Sequence, residues 1–320
     1  MTKFWIISDV AETSYELLGK ARELLGDQEG IITVYLIGNE TTGQEAIGYG
    51  ADLVKLMELP PDTTWEQYAP VLVQEAQASQ PEMILVGATR RGKDLAAQLA
   101  ALLDSPCVTE CKSIEYDDGK VILKRIIYGG LAEKIIECCQ FPVIVTVASR
   151  TFEKWTAKDA SREGTIEKLD LPAGDNVQVV ERRSKPQEVV NIKDASIVVG
   201  VGRGFSEQDE LKMAEELAKV LGGEVACSRP IAEDLHWLPE DRYIGISGQI
   251  IKPNVYIAAG ISGQVQHVYG IRDAKTIIAI DKNENAPIFQ VADYYIVGDL
   301  KEVLPALTEA VKEVKAANKG

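Results

Sequence analysis

The chain has 320 residues, with 49 acidic and 34 basic side chains and a formal net charge of −15. Such acidity argues against binding to the phosphates of a nucleic acid. No apolar stretch is long enough to cross a membrane, and the N-terminus is typical of a first strand rather than a signal peptide. We therefore expect a cytoplasmic globular protein, with no membrane insertion, whose length favours two domains.

The first hundred residues alternate between strand and helix patterns. Thr13 or Ser14 is the expected N-cap of the first helix, and Gly26 is its expected stop. Near-continuous apolar runs such as MILVGAT are typical of a parallel sheet that is covered on both faces. The predicted strands are Phe4–Ser8, Ile31–Ile37, Asp52–Leu59 and Met83–Thr89, and the predicted helices are Ser14–Leu25, Gln44–Tyr49, Trp65–Ala78 and Asp94–Leu103.

The pattern then changes to antiparallel strands. The segment SIEYDDGKVILKRIIYGG predicts a hairpin with its turn at residues 117–119, and KIIECC and VIVTV predict further strands. Residues 149–190 are polar and charged, with two strand-like islands, GTIEKLDL and NVQVVERR. We interpret them as an inter-domain connection that adds an edge strand, which places an N-terminal α/β domain at 1–190 and a second domain at 191–320.

The second half has the pattern of a doubly wound α/β domain. Strands are predicted at 197–201, 223–228, 242–247, 255–260, 276–281 and 294–299, with helices at 207–221 and 300–317. The first two strands and the helix between them form a parallel βαβ unit, which is normally right-handed. The fold class predicted for the whole chain is α/β with two domains, the first with added antiparallel strands.

Polar clusters follow four of these strands. They are Gly202–Gly204, Ser228–Arg229, Ser247–Gln249 and Ser262–His267. Because open α/β sheets bind ligands at the carboxyl ends of their strands, we expect the clusters to converge on one crevice for a nucleotide-like ligand. The G-x-G-x-G spacing of Gly200, Gly202 and Gly204 is not the dinucleotide fingerprint. His267, one turn into a short helix, is expected to add a switchable charge.

Other chemistry is weakly indicated. Five cysteines without a CxxC pair and only two histidines predict reduced thiols and no metal site. No serine, histidine and aspartate can be assigned to a triad, so no catalytic residue is predicted. The basic segment Arg90–Asp94 is either a second phosphate site or a solvated basic loop or partner contact.

In order along the chain, GRGFSEQDE, GEVACSRPIAE, YIGISGQIIKP, YIAAGISGQVQH and KNENAPIFQVADYYIVGDL resemble the alpha subunit of electron-transfer flavoproteins. The resemblance is close over residues 197–305 and looser in the first half. RRGK, YGGLA and CSRPIAE are most similar to the branch linked to carnitine metabolism and nitrogen fixation. Asp281 stands where the family commonly has asparagine, and Ile246 where it commonly has glutamine. The implied cofactor-binding residues are Arg203, Ser228, Arg229, Ile244, Gly245, Ile246, Ser247, Ser262, Gly263, Gln264, Val265, Gln266, His267, Asp281, Asp299 and Leu300.

The resemblance also implies a role for each group of residues. Arg203 would contact phosphate, and Ser228–Arg229 would lie beside the flavin. Residues Ile244–Ser247 would line the ring, and Ser262–His267 would hold the pyrophosphate and the ring edge. Asp299–Leu300 would meet the adenosine.

The function implied by the resemblance is electron transfer. The chain would hold one FAD, pair with a beta subunit and exchange electrons singly with a flavin dehydrogenase of the acyl-CoA dehydrogenase type. Arg229 and a protonatable His267 would stabilise the negative charge of the reduced flavin. Electron bifurcation would need a second FAD and an NADH site, which the family places mainly in the beta subunit. Two alternatives stay open, an NAD(P)-dependent oxidoreductase and a non-redox nucleotide-binding module.

Overall fold

The computed structural model describes residues 2–58, 64–117, 119–155, 161–170, 179–182 and 192–317. The chain separates into two units, residues 1–183 and 184–320. The sequence predicted the domain boundary at residue 190, seven residues after the end of the first unit and outside the described residues. Both units have parallel sheets with helices between the strands, in agreement with the predicted α/β class. Among the described residues, no helix combines the length and the apolar character that a membrane span requires.

The first unit contains one parallel sheet and one antiparallel sheet. The parallel sheet has the strand order β10-β3-β2-β1-β4-β9-β5, and the antiparallel sheet has the order β6-β7-β8. The elements are β1 (Thr2–Ser8), α1 (Ala11–Leu25), β2 (Gly30–Ile37), α2 (Glu40–Gly48), β3 (Leu53–Met57), α3 (Ala69–Ser79), β4 (Met83–Gly87), α4 (Arg90–Leu103), β5 (Cys107–Val108), β6 (Cys111–Asp117), β7 (Lys120–Ile127), β8 (Ala132–Cys138), β9 (Val143–Val147) and β10 (Thr165–Leu169).

Strand β1 shows why this sheet is buried on both faces. Its side chains alternate, so that Phe4 and Ile6 join the core on the side of α1 and α2. Trp5 and Ile7 join the core on the side of α3 and α4. All four side chains are buried, as the uninterrupted apolar run predicts.

Three helices begin earlier than the sequence pattern predicts, and one of them is α2, which begins at Glu40 instead of Gln44. Helix α1 begins at Ala11 with Val10 as its N-cap, so the predicted caps Thr13 and Ser14 are wrong and both lie buried inside the helix. The expected stop at Gly26 is confirmed, because Gly26 has φ 53° and its N–H bonds to Arg22.

Helix α4 begins at Arg90, four residues before the predicted start. Its N-cap is Thr89, whose Oγ1 accepts the N–H of Gly92 at 2.9 Å. A Cβ on Gly92 would lie 1.9 Å from the carbonyl oxygen of Gly87, so this turn lies directly against the end of β4. The basic segment Arg90–Asp94 is therefore the first turn of a helix and not a loop.

The polar segment after residue 149 returns to the first sheet. Strand β10 pairs with β3 in parallel and forms the edge that the island GTIEKLDL predicts. Asp52 fastens it: its Oδ1 lies 2.6 Å from both Arg22 and Arg162, and its Oδ2 accepts the N–H of Ile32. In the second island, residues 179–182 carry no strand, and the preceding part lies outside the described residues.

Replacing Asp52 with alanine is expected to lower the free energy of unfolding by about 2 kcal/mol, because two guanidinium groups and an amide lose their acceptor in a half-buried position. Urea denaturation followed by circular dichroism measures the change. The exposed Asp27→Ala is the control and should stay within about 0.5 kcal/mol of the native chain. Equal midpoints for the two variants would remove Asp52 as the fastening residue.

The second unit contains a five-stranded parallel sheet. Its strand order is β12-β11-β13-β14-β15, in which the first strand along the chain lies between the second and the third. Helices α5 and α7 pack on each other and on the core that includes Val199 and Val201, whereas Val198 faces a second core on the other side. The elements are β11 (Ile197–Val201), α5 (Leu211–Leu221), β12 (Glu224–Cys227), β13 (Val255–Ala259), α6 (Val265–Ile271), β14 (Thr276–Asp281), β15 (Tyr294–Val297) and α7 (Leu300–Ala317).

The strand predicted at 242–247 is wrong. Tyr243 forms a single bridge with Cys227 at the end of β12, and Ile244 forms another with Gln249, so the chain folds back on itself within six residues. The N–H of Gly248 bonds to the carbonyl of Gly245, which has φ 156°. The apolar alternation of RYIGIS resembles a strand, but the two glycines permit a tight loop that side chains would block.

Candidate functional site

The candidate site lies at the carboxyl edge of the second sheet. The strand order reverses between β11 and β13, since β12 lies on one side of β11 and β13 on the other. In doubly wound sheets this switch point opens a crevice between the loops that follow the two strands. The loops here are residues 202–206 and 260–264. The predicted clusters at Arg203 and Ser262–His267 therefore lie at the position where such sheets bind ligands.

Close backbone packing between these two loops explains the glycine run of the first cluster. The N–H of Gly202 bonds to the carbonyl of Ala259, and the N–H of Gly204 bonds to that of Gly260. A Cβ on Gly202 would lie 2.3 Å from the carbonyl oxygen of Gly260, and one on Gly204 would lie 2.5 Å from its Cα. The glycines thus serve the contact between loops, and Arg203 stands exposed between them.

The loop after β13 is held by a second close contact. Gly263 has φ 87°, and a Cβ there would lie 2.3 Å from the backbone nitrogen of Ile288. The N–H of Ile288 bonds to the carbonyl of Ser262 at 3.0 Å. Four side chains of this loop and the following turn are exposed at the edge: Ser262, Gln264, Val265 and Gln266.

The loop 243–249 joins the same edge. The N–H of Ile244 bonds to the carbonyl of Cys227, and the N–H of Ile246 bonds to the carbonyl of Gln266 at 3.1 Å. The Tyr243 hydroxyl lies 2.8 Å from Oγ of Ser247. Ile244 and Gly245 are buried, while Ile246 and Ser247 are exposed. Although residues 242–247 are not a strand, hydrogen bonds place them beside the loop after β13, as the expected convergence requires.

Ser228 and Arg229 follow β12 and begin a π-helical turn at Pro230–Asp234. The N–H of Ser228 bonds to the carbonyl of Val201 at 2.9 Å, which brings this cluster to the end of β11. The Nε of Arg229 lies 2.6 Å from Glu233, and this carboxylate raises the pKa of the guanidinium, so the side chain stays charged. The guanidinium is largely exposed and available to an anionic group.

His267 is placed differently from the other polar residues. Its side chain is buried, and Nε2 lies 2.8 Å from the hydroxyl of Tyr256. Burial lowers the pKa of His267 to about 4, although the nearby backbone of Ile244 raises it in part. The ring is therefore neutral near pH 7, and the switchable positive charge expected here is absent from this structure.

The remaining predicted residues lie at the far strands of the same edge. Asp281 is the last residue of β14 and accepts the N–H of Asn283 through Oδ1 at 2.9 Å. Asp299 is exposed and accepts the N–H of Lys301 at the start of α7. Leu300 is buried and packs on Gly260, so its side chain belongs to the core.

The structure thus brings most of the predicted residues to one edge but does not expose all of them. The sequence pattern did not single out three residues that contact predicted site residues: Glu233, Tyr243 and Tyr256. The first could have been found, because its spacing of four residues from Arg229 is the usual spacing of a helical ion pair. Within the described residues, no group of three or more acidic, histidine or cysteine side chains could hold a metal ion.

The fold defines the chain as a two-unit α/β protein whose C-terminal sheet has a switch point of the kind at which doubly wound sheets bind ligands. The electron transfer flavoprotein domain is matched by residues 8–173, and the electron transfer flavoprotein FAD-binding domain by residues 191–272. The chain belongs to the electron transfer flavoprotein family, as an alpha subunit.

The curated relatives are similar over nearly their whole length. The Protein FixB of Escherichia coli O17:K52:H18 is 38% identical over 313 residues, 97% of this chain and 98% of the relative. The Protein FixB of Shigella dysenteriae serotype 1 is 37% identical over the same fractions of the two chains. A solved structure of a UDP-N-acetylglucosamine 2-epimerase from Listeria monocytogenes aligns with this chain at 11% identity and a TM-score of 0.38. The alignment covers 98% of this chain and 88% of the epimerase chain. At that score the likeness carries no argument.

Proposed function

We propose that this chain holds FAD at the carboxyl edge of its C-terminal sheet. Paired with a beta subunit, it carries electrons one at a time between a flavin dehydrogenase of the acyl-CoA dehydrogenase type and a second redox partner. One observation supports this most: the hydrogen bond from Ile246 to Gln266 joins the loop 243–249 to the start of α6, and both segments expose apolar and polar side chains at the carboxyl edge of the sheet.

The chemistry of this edge fits a flavin nucleotide. Ile246 and Val265 are about half exposed, 48% and 53%, although both are large apolar side chains. An aromatic ring that covers them would remove apolar surface from water. The amides and hydroxyls of Ser247, Gln264 and Gln266 lie on the same two loops and can hydrogen-bond the polar edge of such a ring.

Each group of residues has a proposed part in holding the cofactor. Arg203 would meet the pyrophosphate, and Asp299 with the backbone of Leu300 would meet the adenosine. Ser228, Arg229 and residues 244–247 would surround the ring, and residues 262–267 would bind its edge and the pyrophosphate; Asp281 would add a further contact. Bound FAD supplies the one-electron chemistry. The charged Arg229 would stabilise negative charge on it.

Two exposed apolar surfaces support pairing with another subunit. All four side chains of β15 are apolar or aromatic and between 41% and 66% exposed, and this strand forms one edge of the described sheet. At the β7–β8 connection of the first unit, Tyr128 and Leu131 are 77% and 81% exposed. Uncovered apolar edge strands are prone to association, and contiguous apolar patches mark interaction surfaces. We propose that the beta subunit covers at least one of them.

Co-expression with its beta subunit is expected to give a yellow one-to-one heterodimer, whereas the chain expressed alone should self-associate. Absorbance spectroscopy and flavin analysis measure the cofactor, and sedimentation velocity measures the assembly. A colourless heterodimer would contradict the cofactor proposal. A monodisperse, flavin-loaded chain without a partner would contradict the pairing.

A further inference from the structure

The contact between Tyr256 and His267 is a polar pair inside an apolar core. Tyr256 lies on β13 and is fully buried, among side chains that include Val198, Ile244 and Ile251. Its hydroxyl and Nε2 of His267 are 2.8 Å apart. A hydroxyl in such surroundings is costly without a partner, so the imidazole accounts for a tyrosine here instead of phenylalanine.

The neighbouring strand leaves space for this hydroxyl. Gly200 lies on β11 beside β13, and a Cβ built on it would be 1.9 Å from the hydroxyl oxygen of Tyr256. Any larger residue at 200 would displace the tyrosine ring. The glycine at the start of the G-x-G-x-G run is therefore explained by the tyrosine and not by a phosphate.

The surroundings also determine the direction of the hydrogen bond. The Ile244 N–H is donated to Cys227, so the group that Ile244 can offer to the imidazole is its carbonyl, an acceptor. This favours the proton of a neutral His267 ring on Nδ1, which is buried and has no hydrogen-bond partner among the described residues. Nε2 then accepts from Tyr256, whose pKa burial raises well above its ordinary value, so the phenol remains a donor.

The pair connects the two loops of the candidate site. His267 lies at the start of α6, next to Gln266, whose carbonyl accepts the N–H of Ile246. The backbone of Ile244 also lies near the imidazole. A ring fixed from β13 thus fixes the spacing between residues 244–247 and 262–267.

We propose that Tyr256 is a positioning residue, whose hydroxyl fixes the tautomer and orientation of His267 and, through that ring, the spacing of the two site loops. That these loops hold a flavin rests on the proposed function; the tyrosine–imidazole contact does not. His267 serves here as a neutral connecting group rather than as a charge.

Nitrogen NMR of the full chain tests the proposal directly. Histidine labelling reports only two residues, His236 and His267, and the exposed His236 is an internal reference. In the native chain, Nδ1 of His267 should resonate as a protonated nitrogen and Nε2 as an unprotonated one at pH 7. In Tyr256→Phe, we expect a mixture of both tautomers. A ring protonated on Nε2, or on both nitrogens, in the native chain would overturn the proposal even if the variant failed to fold.

The heterodimer supplies the second readout. Tyr256→Phe should retain flavin but change its midpoint potential. Tyr35→Phe, which removes an equally buried hydroxyl in the first unit, should leave the potential unchanged. Equal potentials in the native and Tyr256→Phe proteins would overturn the positioning role. A native heterodimer without flavin would instead contradict the proposed function, and the NMR spectrum would still test the tyrosine–imidazole pair.

Discussion

Replacing Arg229 with alanine is expected to lower the midpoint potential of the bound flavin by roughly 60–120 mV, without loss of the flavin. A hydrogen bond from a charged donor is worth about 1.5–3 kcal/mol, and about 1.4 kcal/mol corresponds to 59 mV for one electron. Binding should persist because the proposed contacts extend over several loops. Spectroelectrochemical titration of the heterodimer measures the shift.

Two further variants show whether the charge itself is responsible. Arg272→Ala removes an exposed cation just beyond α6 and should leave the potential near the native value. Glu233→Gln should raise the potential, because the carboxylate 2.6 Å from Arg229 now offsets part of its charge. A native potential in Arg229→Ala, or equal shifts in Arg229→Ala and Arg272→Ala, would eliminate the proposed stabilisation.

Replacing Gly263 with alanine is expected to lower the free energy of unfolding by about 3 kcal/mol and to weaken flavin retention at least tenfold. The new methyl group would lie 2.3 Å from the backbone nitrogen of Ile288, at a residue with φ 87°. Relief of this overlap would separate Ile288 from Ser262 and open the loop after β13. A loss of 1.4 kcal/mol in binding already gives a tenfold change. Chemical denaturation and equilibrium dialysis with FAD measure the two effects.

Gly222→Ala separates backbone strain from overlap. Gly222 has φ 76° and ends α5, but a Cβ there would meet nothing within 4 Å. The free energy of unfolding of the Gly222→Ala variant should therefore fall by only about 1 kcal/mol, and the variant should keep its flavin. If Gly263→Ala were no worse than Gly222→Ala, the contact with Ile288 would not be what holds the loop.

Periodicity predicted most of the fold because both parallel sheets are built from apolar runs. Strands such as β4 and β9 are buried along their whole length. Their continuous apolar composition indicates this burial without any knowledge of the strands with which they pair. The segment 242–247 was wrongly predicted as a strand because its apolar residues alternate as in a strand. Only the positive φ of Gly245 and the fold-back to Gln249 distinguish it, and neither is visible in an apolar pattern.

The site was predictable to the extent that strand order determines it. Parallel strands place their carboxyl ends on one edge, so Arg203, Ser228 and Ser262 could be assigned to a single crevice from the sequence. The state of His267 could not, because its neutral form follows from its depth in the core, and the hydroxyl that it contacts belongs to a tyrosine eleven residues earlier. Spacing along a chain does not report burial.

The return of β10 to the first sheet has a consequence for synthesis on the ribosome. Strand β3 ends at Met57, but its outer partner begins only at Thr165. At roughly 5–20 residues per second, that edge stays open for about 5–20 s while the rest of the unit emerges. The closing strand and Arg162, which binds Asp52, lie beyond the last central strand, β9. A nascent chain released before residue 169 would therefore carry an unprotected β edge, and chaperone demand should be greatest in that interval.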